Sequence, residues 1–97
     1  MSIPPPKFDG TTTARRWLHR FDLSIAPESG LVLSKASPRE WVKNFDACLV
    51  GIAEKWADDS EEVKMLLEKD VPSEVERTKL KALLQKHDWK SLTEVSV

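Results

Sequence analysis

A chain of 97 residues can bury the core of one small domain but is too short for a second independent core. Apolar residues make up 40% of it and charged residues 32%, a balance typical of a globular protein and not of a disordered tail. The 15 basic and 16 acidic residues nearly cancel, so the chain as a whole does not attract phosphate polymers. Nucleic acid is therefore not the expected partner of this segment.

Two further features narrow the class of protein. The only cysteine is Cys48, which excludes an internal disulfide and a cysteine-rich zinc knuckle within these residues. The beginning, MSIPPPKFDG, lacks the apolar stretch of a secretory signal, and no run approaches the roughly 18 apolar residues of a membrane helix. We therefore expect a cytoplasmic protein with no membrane partner.

Residues 1–10 are predicted to form an extended arm. Pro4, Pro5 and Pro6 fix their own φ angles near the polyproline value, which favours extended geometry up to Phe8. Phe8 precedes the turn signal Asp9-Gly10, and a large apolar side chain in that position favours an arm that docks on the domain. The alternative is a disordered linker.

A first helix is predicted to begin at Thr12 or Thr13 as N-cap and to end before Pro27. Its apolar residues recur at helical spacing and form one face, which consists of Ala14, Trp17, Leu18, Phe21 and Ile25. Residues 31–36, LVLSKA, fit a strand or a loop equally well.

A second helix is predicted to begin at the capping-box sequence Ser37-Pro38-Arg39-Glu40. Its apolar face repeats at helical spacing and consists of Trp41, Phe45, Cys48, Leu49, Ile52 and Trp56. Gly51 lies inside this run, and it either costs roughly 1 kcal/mol of helix stability or marks a bend. We expect Trp41 and Trp56 to be buried in one core with Trp17 and Phe21.

The remaining sequence predicts three more helices. Asp58, Asp59 and Ser60 are candidate caps for a third, with Val63, Leu66 and Leu67 on its face, which ends at Val71-Pro72. Ser73 and Glu76 form a capping box for a fourth, with Leu80, Leu83, Leu84 and His87 on its face. Asp88 can cap a fifth that begins at Trp89 and carries Leu92 and Val95. The sequence thus predicts an all-α bundle of about five helices over residues 12–97, cut from a longer protein within its last helix.

No pattern of catalytic or metal-binding residues is present. His19 and His87 lie far apart, and nucleotide-binding and serine-hydrolase motifs are absent. Cys48, between Phe45 and Leu49 on an apolar face, is predicted to be an inert core thiol. The acidic run of Asp58, Asp59, Glu61 and Glu62 is interpreted as a solvated helix start. We expect no enzymatic activity, metal or cofactor.

A basic cluster on the first helix is the one charged patch that stands out. Arg15, Arg16 and Arg20, with His19, lie largely opposite the apolar face and form a candidate contact patch for a phosphate or an acidic partner. The alternative is an ordinary solvated helix surface.

Three blocks of sequence together resemble a known family. PKFDGTTTARRWLHRF is similar to the opening of Gag capsid domains from Gypsy-type LTR retrotransposons, with Phe8, Gly10, Trp17, Leu18 and Phe21 as the matching residues. WVKNFDACLVGIAEKWA resembles the family's L-x-G-x-A-x-x-W helix, and DWKSL resembles the W-x-x-L start of the next one. The stretch between Trp56 and Trp89 is longer than in compact domesticated relatives such as Arc.

The resemblance implies a capsid N-terminal lobe that assembles with other copies of itself into a virus-like shell. In Arc-like relatives this lobe also binds peptides in a hydrophobic groove beside the arm, so a domesticated adaptor is the alternative function. The matching candidate residues here are Ile3, Phe8, Trp17, Phe21 and Phe45. Nucleic acid would bind only through regions outside this segment. A helical interaction module unrelated to Gag, a nucleic-acid-binding domain and an unrecognised enzyme remain further alternatives.

Overall fold

The computed structural model describes residues 5–89. Over this range the chain forms five α-helices and one short 3₁₀ helix, Leu33–Lys35. The α-helices are α1 (Ala14–Leu23), α2 (Pro38–Cys48), α3 (Ile52–Asp59), α4 (Glu61–Glu68) and α5 (Glu74–Lys86). In the described part of the chain the only β pairings are two isolated bridges. The predicted all-α bundle is confirmed, whereas the predicted helix with Leu92 and Val95 lies outside the described residues.

Helix α1 begins as predicted. Thr13 is its N-cap with extended backbone angles, although the threonine hydroxyl makes no capping hydrogen bond. The helix ends at Leu23, before Ile25, which instead forms an antiparallel bridge with Val32. The ambiguous stretch 31–36 is therefore a bridge residue followed by the 3₁₀ helix.

Helix α2 uses half of its predicted capping box. The hydroxyl oxygen of Ser37 accepts a 3.3 Å hydrogen bond from the backbone N–H of Glu40, and Pro38 occupies the first helical position. The carboxylate of Glu40 does not return to Ser37. It accepts a 2.7 Å hydrogen bond from the hydroxyl of Ser29, which ties the preceding loop to α2.

Gly51 marks a bend, so the predicted second helix is two helices. Its φ of +58° lies in a region that side-chain-bearing residues rarely adopt. The preceding residue, Val50, directs its backbone N–H to the carbonyl oxygen of Phe8 at 3.0 Å instead of to a helical partner. The docked arm and the glycine together end α2 and allow α3 to start in a new direction.

The acidic run is divided differently from the prediction. Asp58 and Asp59 lie in the last turn of α3, and only Glu61 and Glu62 lie in the first turn of α4. The interpretation of all four as one helix start is wrong for the two aspartates, because α3 continues to Asp59. The capping box of α5 is confirmed, since the backbone N–H of Ser73 donates to Glu76 at 2.9 Å.

The core is an aromatic cluster between α1 and α2. Of the four residues predicted to share it, Trp17, Phe21 and Trp41 are at most 3% exposed, and Phe45 and Leu49 are buried with them. Trp56 is only partly buried and packs on His87 and Trp89, because the bend at Gly51 turns α3 away from α2. Over residues 5–89, none of the helices has the length and apolar character needed to cross a membrane.

Candidate functional site

The extended arm is docked on the bundle. The backbone N–H of Phe8 donates to the carbonyl oxygen of Cys48 at 2.8 Å, and the carbonyl oxygen of Phe8 accepts from Val50 at 3.0 Å. These two bonds form a parallel bridge between Phe8 and Leu49 at the end of α2. The prediction of a docked arm is confirmed for the described part, while Ile3 lies outside the described residues.

The side chain of Phe8 is part of the core. It is fully buried, and its ring centroid lies 5.1 Å from that of Trp17 and 5.0 Å from that of Trp89. The indole N–H of Trp17 donates a 2.9 Å hydrogen bond to the carbonyl oxygen of Pro6. Both the ring and the backbone of the arm therefore hold it against α1.

The other aromatic candidates form the floor beneath the arm. Trp17, Phe21 and Phe45 are all buried. The ring centroid of Phe21 lies 4.9 Å from that of Trp17 and 6.1 Å from that of Phe45. Phe8 packs directly on Trp17 in this arrangement. Binding of a peptide to these buried rings remains a prediction.

A turn connects the arm to α1. The carboxylate of Asp9 accepts hydrogen bonds from the backbone N–H of Thr11 at 3.0 Å and from its hydroxyl at 2.6 Å, and these bonds lower the pKa of Asp9. Gly10 has a φ of +89°, and a Cβ atom at this position would lie 3.2 Å from the ring of Trp89. The glycine thus permits both the turn and the close approach of the indole.

The basic contact patch is exposed on the outer face of α1. Arg15, Arg16 and Arg20 are all exposed, and no ion pair within residues 5–89 involves them. Arg15 also lines a cavity of about 600 Å³ between the start of α1 and the end of α5. Binding of a partner to this patch stays a prediction.

An acidic cluster that the sequence analysis missed lies where α2 meets α3. Asp46, Glu54 and Asp58 surround a cavity of about 420 Å³ whose apolar lining includes Leu49 and Val50. The pKa of Asp46 is raised, first by its partial loss of contact with water and then by repulsion from Asp58 and Glu54. None of the three has an ion-pair partner within residues 5–89. The bend at Gly51, which periodicity left open, brings these carboxylates together.

Cys48 is a buried thiol, as predicted. Its side chain faces the core beside Leu49, and burial raises the pKa of the thiol to about 11. At neutral pH the nucleophilic thiolate is therefore disfavoured. Within residues 5–89, no three His, Cys, Asp or Glu side chains are arranged to hold a metal ion.

Comparison of the chain with protein families, with curated proteins and with solved structures finds no match.

Proposed function

We propose that this chain is a Gag-type capsid lobe, a non-enzymatic module that assembles with copies of itself into a virus-like shell. On this proposal it acts in the cytoplasm, alone or inside such particles, and nucleic acid is bound by other regions of the protein. The proposal rests on the ordered resemblance of three sequence blocks to Gypsy-type Gag proteins.

The observation that carries the proposal is the meeting of these three blocks around Phe8. The first block supplies Phe8 and Trp17, the second supplies Leu49, and the third supplies Trp89. Phe8 contacts the two tryptophan rings and pairs with Leu49 through its backbone. The residues that carry the resemblance are therefore in contact with one another in the folded chain.

Exposed apolar side chains give further support to a role in protein contacts. Five large ones are at least half exposed: Leu23, Leu31, Met65, Val71 and Val75. Three of them, Met65, Val71 and Val75, follow one another along α4, the next connection and the first turn of α5. Apolar groups that are left in water at the surface are candidates for burial against another protein.

One observation agrees with a non-enzymatic role. The only thiol, that of Cys48, is buried and has a raised pKa, which disfavours the nucleophilic thiolate.

Sedimentation velocity of the chain from about 10 µM to about 1 mM tests the proposal, because weak shell contacts dissociate in this range. We expect the mean sedimentation coefficient to rise with concentration, and electron microscopy of the concentrated sample to show ordered assemblies. A stable monomer over the whole range would contradict the proposal. A monomer that binds hydrophobic peptides would favour the adaptor.

A further inference from the structure

Two of the three charges in the basic patch, and two of the three in the acidic cluster, oppose the local helix dipoles. Arg15 and Arg16 lie in the first turn of α1, where the partial charge of the helix end is positive and no acidic residue is present. Asp46 and Asp58 lie in the last turns of α2 and α3, where the partial charge is negative and no basic residue is present. Arg20 in the last turn of α1 and Glu54 in the first turn of α3 are placed favourably. The destabilising charges are therefore Arg15, Arg16, Asp46 and Asp58.

No ion pair within the described residues compensates for this cost. The four ion pairs of residues 5–89 involve other residues on both sides. The basic side chains of α1 and the acidic ones of α2 and α3 do not pair with each other within one molecule. Charges that are placed unfavourably and left unpaired mark a surface selected for something other than stability.

The two surfaces are complementary in sign and in number. Three exposed arginines lie on α1, and three carboxylates surround a cavity. The helix ends add to both potentials, positive under Arg15 and negative under Asp58. The apolar side chains of Leu49 and Val50 in the cavity suit the aliphatic stems of arginine.

We infer that the α1 basic face of one copy, Arg15, Arg16 and Arg20, docks on the Asp46–Glu54–Asp58 cluster of the next copy in a head-to-tail contact. The inference rests on the proposed self-assembly and names the surfaces that carry it. Such a contact joins two different patches, so a pair of docked copies keeps one free basic patch and one free acidic patch, and the chain of subunits continues until a ring closes or a filament forms.

Two neutralised variants test the contact directly. The first carries Arg15→Gln, Arg16→Gln and Arg20→Gln, and the second carries Asp46→Asn, Glu54→Gln and Asp58→Asn. By sedimentation velocity each variant alone should be monomeric at concentrations where the wild type associates. An equimolar mixture should form a one-to-one dimer and nothing larger, because only one complementary pair of patches remains. The wild-type association should weaken at least about tenfold between about 0.05 M and about 0.5 M salt, since exposed charges are screened.

Controls separate this contact from effects on folding and net charge. The variant Lys35→Gln, Lys64→Gln, Lys79→Gln removes three exposed, unpaired cations elsewhere and should associate as the wild type does. Both neutralised variants should melt close to the wild-type temperature, since each removes two charges that oppose a helix dipole and one that complements it.

Three results would overturn the inference. Wild-type association that neither variant changes would leave self-assembly standing but assign it to another surface, such as the exposed apolar residues. Monomeric variants whose mixture stays monomeric would exclude the head-to-tail geometry. Binding of a labelled single-stranded RNA that the arginine variant loses, without any association between the two variants, would assign the basic face to nucleic acid. A wild type that never associates would instead contradict the proposed function itself.

Discussion

The indole N–H of Trp41 donates a 2.8 Å hydrogen bond to one carboxylate oxygen of Asp22. The other oxygen accepts a 2.8 Å hydrogen bond from the ammonium group of Lys81, which also lies 5.6 Å from the centroid of the Trp41 ring. Asp22 thus joins α1 to α2 and to α5. Because Trp41 is fully buried, its N–H has no access to water if this acceptor is lost.

Replacing Asp22 by alanine should therefore lower the free energy of unfolding by about 1 to 3 kcal/mol, the cost of an unsatisfied buried donor. Asp22→Asn keeps an oxygen for Trp41 and loses only the partly exposed ion pair with Lys81, so it should cost less than about 1 kcal/mol. Urea denaturation followed by circular dichroism measures both values. Equal losses for the two variants would show that the ion pair, and not the hydrogen bond, is the important contact.

Phe8→Ala should destabilise the whole bundle by about 3 to 5 kcal/mol, because Phe8 is fully buried among core rings. This loss is comparable to the whole stability of a small domain. The variant is therefore a test of the fold and not of binding alone. Lys7→Ala, in the same arm but exposed, is the control and should change stability by less than about 0.5 kcal/mol. Wild-type stability of Phe8→Ala would mean that the arm does not dock in solution.

Gly51→Ala distinguishes the bent arrangement from a continuous helix. An alanine at a φ of +58° should cost about 1 to 3 kcal/mol because of backbone strain. Steric crowding does not add to this cost, because a Cβ atom at position 51 would lie 3.9 Å from the Cβ of Asp9. In a continuous helix the same change would stabilise the protein by roughly 1 kcal/mol. The sign of the change in chemical denaturation decides between the two arrangements.

Glu76 makes the stability depend on pH. The ammonium of Lys69, the hydroxyl of Ser73 and the backbone N–H of Ser73 lower the pKa of Glu76 from 4.5 to about 2. The folded state favours the carboxylate, so its stabilisation is complete above pH 4.5 and is lost as the pH falls from 4.5 towards 2.

The variant Glu76→Gln lacks this titration and should show a smaller loss of stability over that interval. Urea denaturation of both proteins at a series of pH values gives the two curves. Their difference should be largest above pH 4.5 and should shrink towards pH 2. Parallel curves over the whole range would exclude Glu76 as the titrating group.

Local sequence patterns were sufficient to predict most of the helices. Helical spacing relates Trp17 to Phe21 on α1 and Trp41 to Phe45 on α2. The apolar faces of these two helices pack against each other, so all four side chains are buried. Capping signals at Thr13, Ser37 and Ser73 placed three helix starts correctly because a cap is decided by neighbouring residues.

Features that depend on contacts between distant residues could not be predicted in this way. Gly51 is compatible with a helix interior as well as with a bend, and the choice depends on the hydrogen bond from Val50 to Phe8, far away in sequence. The partial exposure of Trp56 follows from that bend. The acidic cluster combines Asp46 of α2 with Asp58 of α3, whose relative positions are likewise set by the bend. The acidic run that contains Asp58 was interpreted as a helix start, and this interpretation assigned Asp58 to the wrong helix.

The contact between Phe8 and Trp89 has a consequence for synthesis on the ribosome. Phe8 precedes Trp89 by roughly eighty residues, which corresponds to about 4 to 16 seconds of translation. Phe8 leaves the ribosomal exit tunnel before Trp89 has been added to the chain, so at that point one of the two rings that enclose it does not yet exist. The aromatic anchor of the arm therefore reaches its final packing only after Trp89 has itself left the ribosome, and this contact is among the last to form during synthesis.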